Sequence, residues 1–116
     1  MIAATLPLRI ESTPNKREHW AAKARRTSLH RTTAYYALKE NLAPRWGRIK
    51  VRLTRVAPRA MDSDNLAAGF KAVRDGVADW LGIDDGSDRV VWEYAQIKGA
   101  AREYMVRVQI VDWSAT

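Results

Sequence analysis

The run Asp62-Ser63-Asp64-Asn65, followed further along by the pair Asp84-Asp85, is the part of this chain best suited to chemistry. Seven of its thirteen carboxylates lie between residues 62 and 88, although the formal net charge is +7. Carboxylates crowded in this way repel one another unless a cation or open water compensates. A divalent cation is the compensation that gives the cluster a chemical purpose. On a basic chain this points to chemistry on a polyanion, so a Mg²⁺-dependent nuclease is the first expectation.

The elements around these residues decide whether they can act together. Leu66, Phe70, Val73, Val77, Trp80 and Leu81 recur at helical spacing and predict one helix over 64–81, with Gly82 as its stop signal. Asp64, Lys71 and Asp75 then share a stripe opposite that apolar face. Asp62 precedes the helix, and Asp84 and Asp85 follow it. A straight helix of this length spans about 27 Å, so Asp64 and Asp85 meet only if the chain after Gly82 folds back or the helix begins later. Plainer roles compete with the chemical ones. Asp64 suits a helix N-cap, 84–88 has the composition of a polar turn, and Lys71 with Asp75 reads as a solvated i,i+4 pair. If Asp64 is the cap, Asp62 has no such duty.

The remaining elements follow from periodicity. Leu6, Leu8 and Ile10 alternate with polar positions and predict a short strand, with Pro7 at an edge or start. Residues 16–42 are helical in composition, with a partial apolar stripe at Trp20, Ala24, Tyr35, Leu38 and Leu42. Ile49, Val51 and Leu53 alternate with Lys50, Arg52 and Thr54, a half-buried strand with a basic outer face. The alternation slips at Arg55-Val56, as at a bulge. Residues 90–98 and 104–112 read as two strands of an antiparallel hairpin joined around Gly99. The order β-α-β-α-β-β predicts a single α+β domain over residues 1–116, with helices packed on a small mixed sheet.

Composition narrows the chemistry. The absence of cysteine excludes disulfides and thiolate metal sites, and with only His19 and His30 as nitrogen donors any metal should be a hard, oxygen-bound one. Residues 1–60 carry fourteen Lys or Arg against three acids, and 61–116 carry six against ten. A basic half beside an acidic cluster favours a nucleic-acid partner. No signal peptide or membrane-spanning run is evident, so a cytoplasmic protein without membrane contact is expected. Trp80 and Trp92 are assigned to the core.

Other sites built on similar residues fit poorly. An EF-hand loop counted from Asp62 would place Leu66 and Ala67 where an oxygen ligand and a glycine belong. An aspartyl phosphatase would set its acids after a buried parallel strand, whereas the strand here is basic and alternating. Neither histidine lies near a glycine-flanked serine, and no Gly-rich phosphate loop implies a small-molecule cofactor.

Arg59 to Leu66, Lys71-Ala72-Val73-Arg74-Asp75 and Ile83-Asp84-Asp85 with Val90-Val91 together resemble the RusA-like Holliday junction resolvases. That family's pattern is Asp-x-Asp-Asn, a helical Lys with Asp four residues later, and a closing Asp-Asp. Thr13-Pro14-Asn15-Lys16-Arg17 also looks like the family's early Pro/Asn loop. One departure is that Lys71 follows Asn65 by six residues rather than about three, a shift of about 5 Å along a helix axis. The resemblance implies a homodimer that resolves four-way DNA junctions by paired symmetric nicks, in recombination and repair. It makes Asp62, Asp64 and Asp85 the essential acids holding Mg²⁺ (or Mn²⁺), with Asp84 beside them and Lys71 as the essential base. Arg25, Arg26, Arg31, Lys50, Arg52 and Arg59 are the candidate phosphate contacts. The rival expectations are a junction-binding protein without catalysis and a metal-stabilised interaction domain.

Overall fold

In a computed structural model, residues 1–11 and 20–114 are described. The elements are β1 (Ile2–Leu6), α1 (Trp20–Leu38), β2 (Ile49–Ala57), α2 (Ser63–Gly69), α3 (Lys71–Leu81), β3 (Val90–Lys98) and β4 (Met105–Asp112). They form one α+β domain around a four-stranded mixed sheet in the order β1-β4-β2-β3. The Thr13-to-Arg17 segment and His19 lie outside the described residues. Among the described residues no helix is long and apolar enough to cross a membrane.

β2 occupies the middle of the sheet because its sequence can be covered on both sides. Ile49, Val51 and Leu53 are buried, and so are Thr54, Arg55, Val56 and Ala57. It pairs in parallel with β3 and antiparallel with β4. Val51 opposite Ile110, and Leu53 opposite Val108, put large aliphatic groups on one face, where α1, α2 and α3 add Ala34, Leu38, Leu66, Phe70, Val73 and Val77. Removing these side chains from water is the main force holding the layers together.

This topology corrects the expected hairpin. β3 and β4 are not neighbours, because β2 lies between them. The connection crosses the end of β2 instead, and Gly99 N–H donates to the Ala57 carbonyl at 2.8 Å. A Cβ on Gly99 would sit 3.0 Å from Val56 Cγ1, so the crossing favours a residue without a side chain. The slip at Arg55-Val56 is not a bulge either. The register with β3 runs unbroken from Ile49 to Ala57, and Arg55 is simply a buried arginine.

The first strand is earlier than expected, at Ile2–Leu6, although Leu8 and Ile10 beyond it are also buried. In α1 the buried residues are His30, Ala34 and Leu38. Trp20 and Leu42, assigned to its apolar stripe, are 76% and 92% exposed. Trp80 is buried as expected, and Trp92 is partly buried against the core.

The predicted helix 64–81 is two helices that meet at Phe70. Its N–H still donates to Leu66 O, and its carbonyl accepts from Arg74 N–H, so only a single residue departs from the helical pattern. Two contacts explain the joint. A Cβ on Gly69 would lie 2.5 Å from Ile10 Cγ2, so the chain closes tightly there. The fully buried Phe70 ring stacks on Tyr94 at 5.6 Å. Lys71 therefore opens α3 instead of sitting mid-helix.

His30 makes the domain sensitive to mild acid. Burial and the nearby Arg26 charge hold its pKa below the ordinary 6.5, with Glu11 opposing them. The unfolded chain thus binds more protons than the folded one near pH 6, so stability increases with pH in that range. The His30 contribution is complete above 6.5 and is lost as pH falls toward the lowered folded value. Urea midpoints should fall between pH 7.5 and 5.5, and H30Q should flatten that dependence; an equal fall in the variant would assign it elsewhere.

Candidate active site

Gly82 reverses the chain after α3. Its φ of 71° is the left-handed conformation that glycine adopts without penalty, and Ile83 N–H closes the end by donating to Ala78 O at 3.2 Å. The returning segment carries Asp85 back to the first turns of α3. Lys71 Nζ bridges Asp75 Oδ1 at 2.9 Å and Asp85 Oδ2 at 2.8 Å. The fold-back therefore joins two parts of the sequence pattern that a straight helix would have kept apart.

Asp85 is the most tightly held of the candidate acids. Arg74 Nε lies 3.0 Å from the same Oδ2, although not in hydrogen-bond alignment. Arg74 Nη2 and Trp92 Nε1 both donate to the Asp85 carbonyl at 2.9 Å. The guanidinium also donates to Tyr94 Oη at 2.8 Å and lies 4.8 Å above the Trp92 ring. The Lys71 hydrogen bond, assisted by both cationic charges, keeps the Asp85 carboxyl below its usual pKa, and the same bond raises Lys71. Both groups are charged at neutral pH.

The Asp62-Asp64 segment is fixed by a different set of bonds. Gln96 clamps Met61, accepting its N–H at 2.9 Å and donating to its carbonyl at 2.8 Å. Arg55 Nη1 donates to the Arg59 carbonyl at 2.6 Å. Asp62, not Asp64, takes the N-cap position of α2, and its side chain makes no capping hydrogen bond. Asp64 lies in the first helical turn, where a negative charge suits the helix dipole. Both carboxylates are exposed. Asp84 has a local duty, since its Oδ1 accepts Gly86 N–H at 2.8 Å in the turn.

These acids are hard oxygen donors, and in kind they suit a divalent cation. In arrangement they fall short of a metal cage. Among the described residues no three His, Asp or Glu side chains are grouped to hold a metal ion. Asp85 is instead balanced by the chain's own Lys71 and Arg74.

The candidate phosphate contacts divide into two groups. Arg31 is held by Asp79 through hydrogen bonds of 2.7 and 2.8 Å, while Lys50 and Arg52 both face Glu93. Arg25 and Arg59 are exposed, and Arg26 is half-buried. Sequence reasoning missed Arg74, Trp92, Tyr94, Gln96 and Arg55 as positioning groups. The available signal was alternation in β3, which puts the polar-tipped Trp92, Tyr94 and Gln96 on one face, opposite Val51, Leu53 and Arg55.

No protein-family model matches the chain. It is similar to a protein of Xylella fastidiosa (strain Temecula1 / ATCC 700964) described as an uncharacterized protein, with 33% identity over 81 residues. The match covers 62% of this chain and 52% of that relative, so this chain spans about half of the relative's length.

Proposed function

We propose that this protein is a Mg²⁺-dependent, structure-selective DNA endonuclease that resolves four-way junctions by paired nicks. The observation that carries the reading is the convergence of Lys71, Asp75 and Asp85, which come from two separate segments and match the resolvase-like sequence pattern. The basic N-terminal half supplies attraction for a polyanion. In this reading Asp62, Asp64 and Asp85 hold Mg²⁺, or Mn²⁺ in its place, with Asp84 shaping the adjoining turn. The cation would act as Lewis acid and source of an activated water.

The chain's own groups have distinct tasks. Lys71 supplies positive charge where negative charge develops on the phosphate. Arg74, Trp92 and Tyr94 orient Asp85, and Gln96 fixes the backbone leading to Asp62. Arg25 and Arg59 contact phosphates directly, whereas Arg31, Lys50 and Arg52 do so while exchanging their carboxylate partners. Two symmetric cuts require two related sites, which a homodimer provides. The reaction belongs to recombination and repair in the cytoplasm of a bacterial or phage-infected cell.

The test is cleavage of a labelled four-way junction beside a linear duplex of the same sequence. Paired nicks in the junction alone are expected with Mg²⁺, and their loss with EDTA or D64N. The balance of Asp85 by Lys71 and Arg74 favours a second reading, a junction-binding protein without catalysis. Binding that persists in EDTA, with no product in Mg²⁺ or Mn²⁺, would select that reading.

A further inference from the structure

Arg55 is a cation placed where the core would take an apolar side chain. It follows Ile49, Val51 and Leu53 on the same face of β2, and the whole residue is only 9% exposed. Its Nε donates to the Ile10 carbonyl at 3.1 Å, and its Nη1 donates to the Arg59 carbonyl and to Gln96 Oε1 at 2.6 and 3.4 Å. All three acceptors are neutral oxygens. Burying a charge without an opposite charge is costly, and burial lowers the Arg55 pKa, with Arg9 adding repulsion against a smaller opposing effect of Tyr104. Among the described residues no carboxylate forms an ion pair with it.

Beside this guanidinium lies a cavity of about 140 Å³. Arg55, Arg59 and Lys98 contribute to its lining, together with Gln96 and the apolar Ile97, and no acid does. The Gln96 amide is already committed to the Met61 backbone, so the remaining polar character of the cavity is cationic. At about 30 Å³ per water, the space holds roughly four or five waters, enough for one tetrahedral oxyanion. A guanidinium fork matches such an anion in geometry as well as charge.

We propose that Arg55, Arg59 and Lys98 form an anion site that takes a single phosphate group, a phosphodiester of the bound DNA strand. The DNA part of this assignment rests on the proposed nuclease reading; the binding of a phosphate group does not. Arg59 lies three residues before Asp62, so their Cα atoms are at most about 11 Å apart. A strand anchored here passes the N-terminus of α2, and Arg55, through the Arg59 carbonyl, ties the anchor to that segment.

Inorganic phosphate titrated into ¹⁵N-labelled protein tests the site directly. The Arg55 Nε–H resonance should shift saturably with phosphate, and not with chloride at equal ionic strength. R59Q/K98Q should weaken phosphate binding at least tenfold. R55K, which preserves charge but removes the fork, should also weaken it, with urea unfolding as the check that the variant is folded. An unchanged affinity in folded R55K would reduce the site to diffuse electrostatics and overturn it, as would a wild-type resonance unmoved by phosphate.

The DNA source has its own arm. R59Q/K98Q should make the log–log salt dependence of junction binding shallower by about one or two, one for each lost phosphate contact. Phosphate binding with an unchanged salt slope would overturn the DNA assignment and leave a free-phosphate site. Junction cleavage is scored separately, so a protein that binds phosphate through Arg55 but never cuts would refute the nuclease reading alone.

Discussion

Asp85→Asn is expected to lower junction cleavage at least 100-fold while leaving the domain folded. The substitution keeps the shape of the side chain and removes its charge. The backbone carbonyl of Asp85 remains available to Trp92 and Arg74, and Lys71 retains Asp75 as a partner. The lost ion pair is partly exposed, with side-chain exposures of 60% for Lys71 and 24% for Asp85, so its effect on stability should stay within about 1 kcal/mol. Loss of a charge that acts on the reacting phosphate or its metal costs far more, roughly 10²–10³ in rate. Asp84→Asn should stay within about tenfold of wild type, because its Oδ1 serves the turn by accepting Gly86 N–H and an amide oxygen can do the same. Single-turnover cleavage of a labelled junction, with thermal unfolding of each variant alongside, measures both. Equal losses for the two variants would refute the assignment of Asp85 as the acting carboxylate.

The difference between these neighbouring aspartates shows where sequence reading stops. Periodicity located β3 at 90–98 and made Leu66, Phe70, Val73 and Val77 core residues, because burial on one face leaves a local pattern. It also suggested that the chain after Gly82 would have to fold back for Asp85 to reach α3, and a left-handed Gly82 makes that turn. What it missed depends on contacts distant in sequence. Strands 90–98 and 105–112 look like a hairpin locally, yet β2 separates them. The clue was the run Leu53 to Ala57, buried throughout as a central strand requires, but the arginine within it suggested a bulge. Asp62 and Asp64 exchanged their expected places at the helix start, a difference of two residues that propensity does not resolve. The bonds that fix the candidate site come from Arg74, Trp92, Tyr94 and Gln96, whose side chains look like ordinary core-edge residues until their polar ends are followed to their partners.

Gly76→Val should be the most damaging single change outside the candidate site. Glycine within a helix costs about 1 kcal/mol relative to alanine, so its place in the middle of α3 calls for a compensating gain. The gain is close approach of the two long helices: a Cβ at residue 76 would overlap the Arg31 carbonyl oxygen of α1 and lie 2.9 Å from Ala34 Cβ. The first obstacle is backbone, which cannot swing aside as the end of a flexible side chain can. Relief requires the helices to separate, loosening the packing of Ala34 and Leu38 over Val73 and Val77. Overpacking of a tight core typically costs about 1–3 kcal/mol, and a β-branched side chain against a fixed carbonyl belongs at the upper end of that range or beyond it. For a domain whose total stability is of the order of 5–15 kcal/mol, the expected fall in Tm is about 10 °C or more. Alanine at the same position should be milder, because its better helix propensity offsets part of the collision. Gly47→Ala is the matched control, since a Cβ there meets only Ser114 Oγ at an ordinary 3.6 Å and should change Tm little. Thermal unfolding of the three variants beside wild type decides the matter: a Gly76→Val protein as stable as Gly47→Ala would mean that α1 and α3 are not in backbone contact, and that the platform carrying Lys71, Arg74 and Asp75 is not the one described.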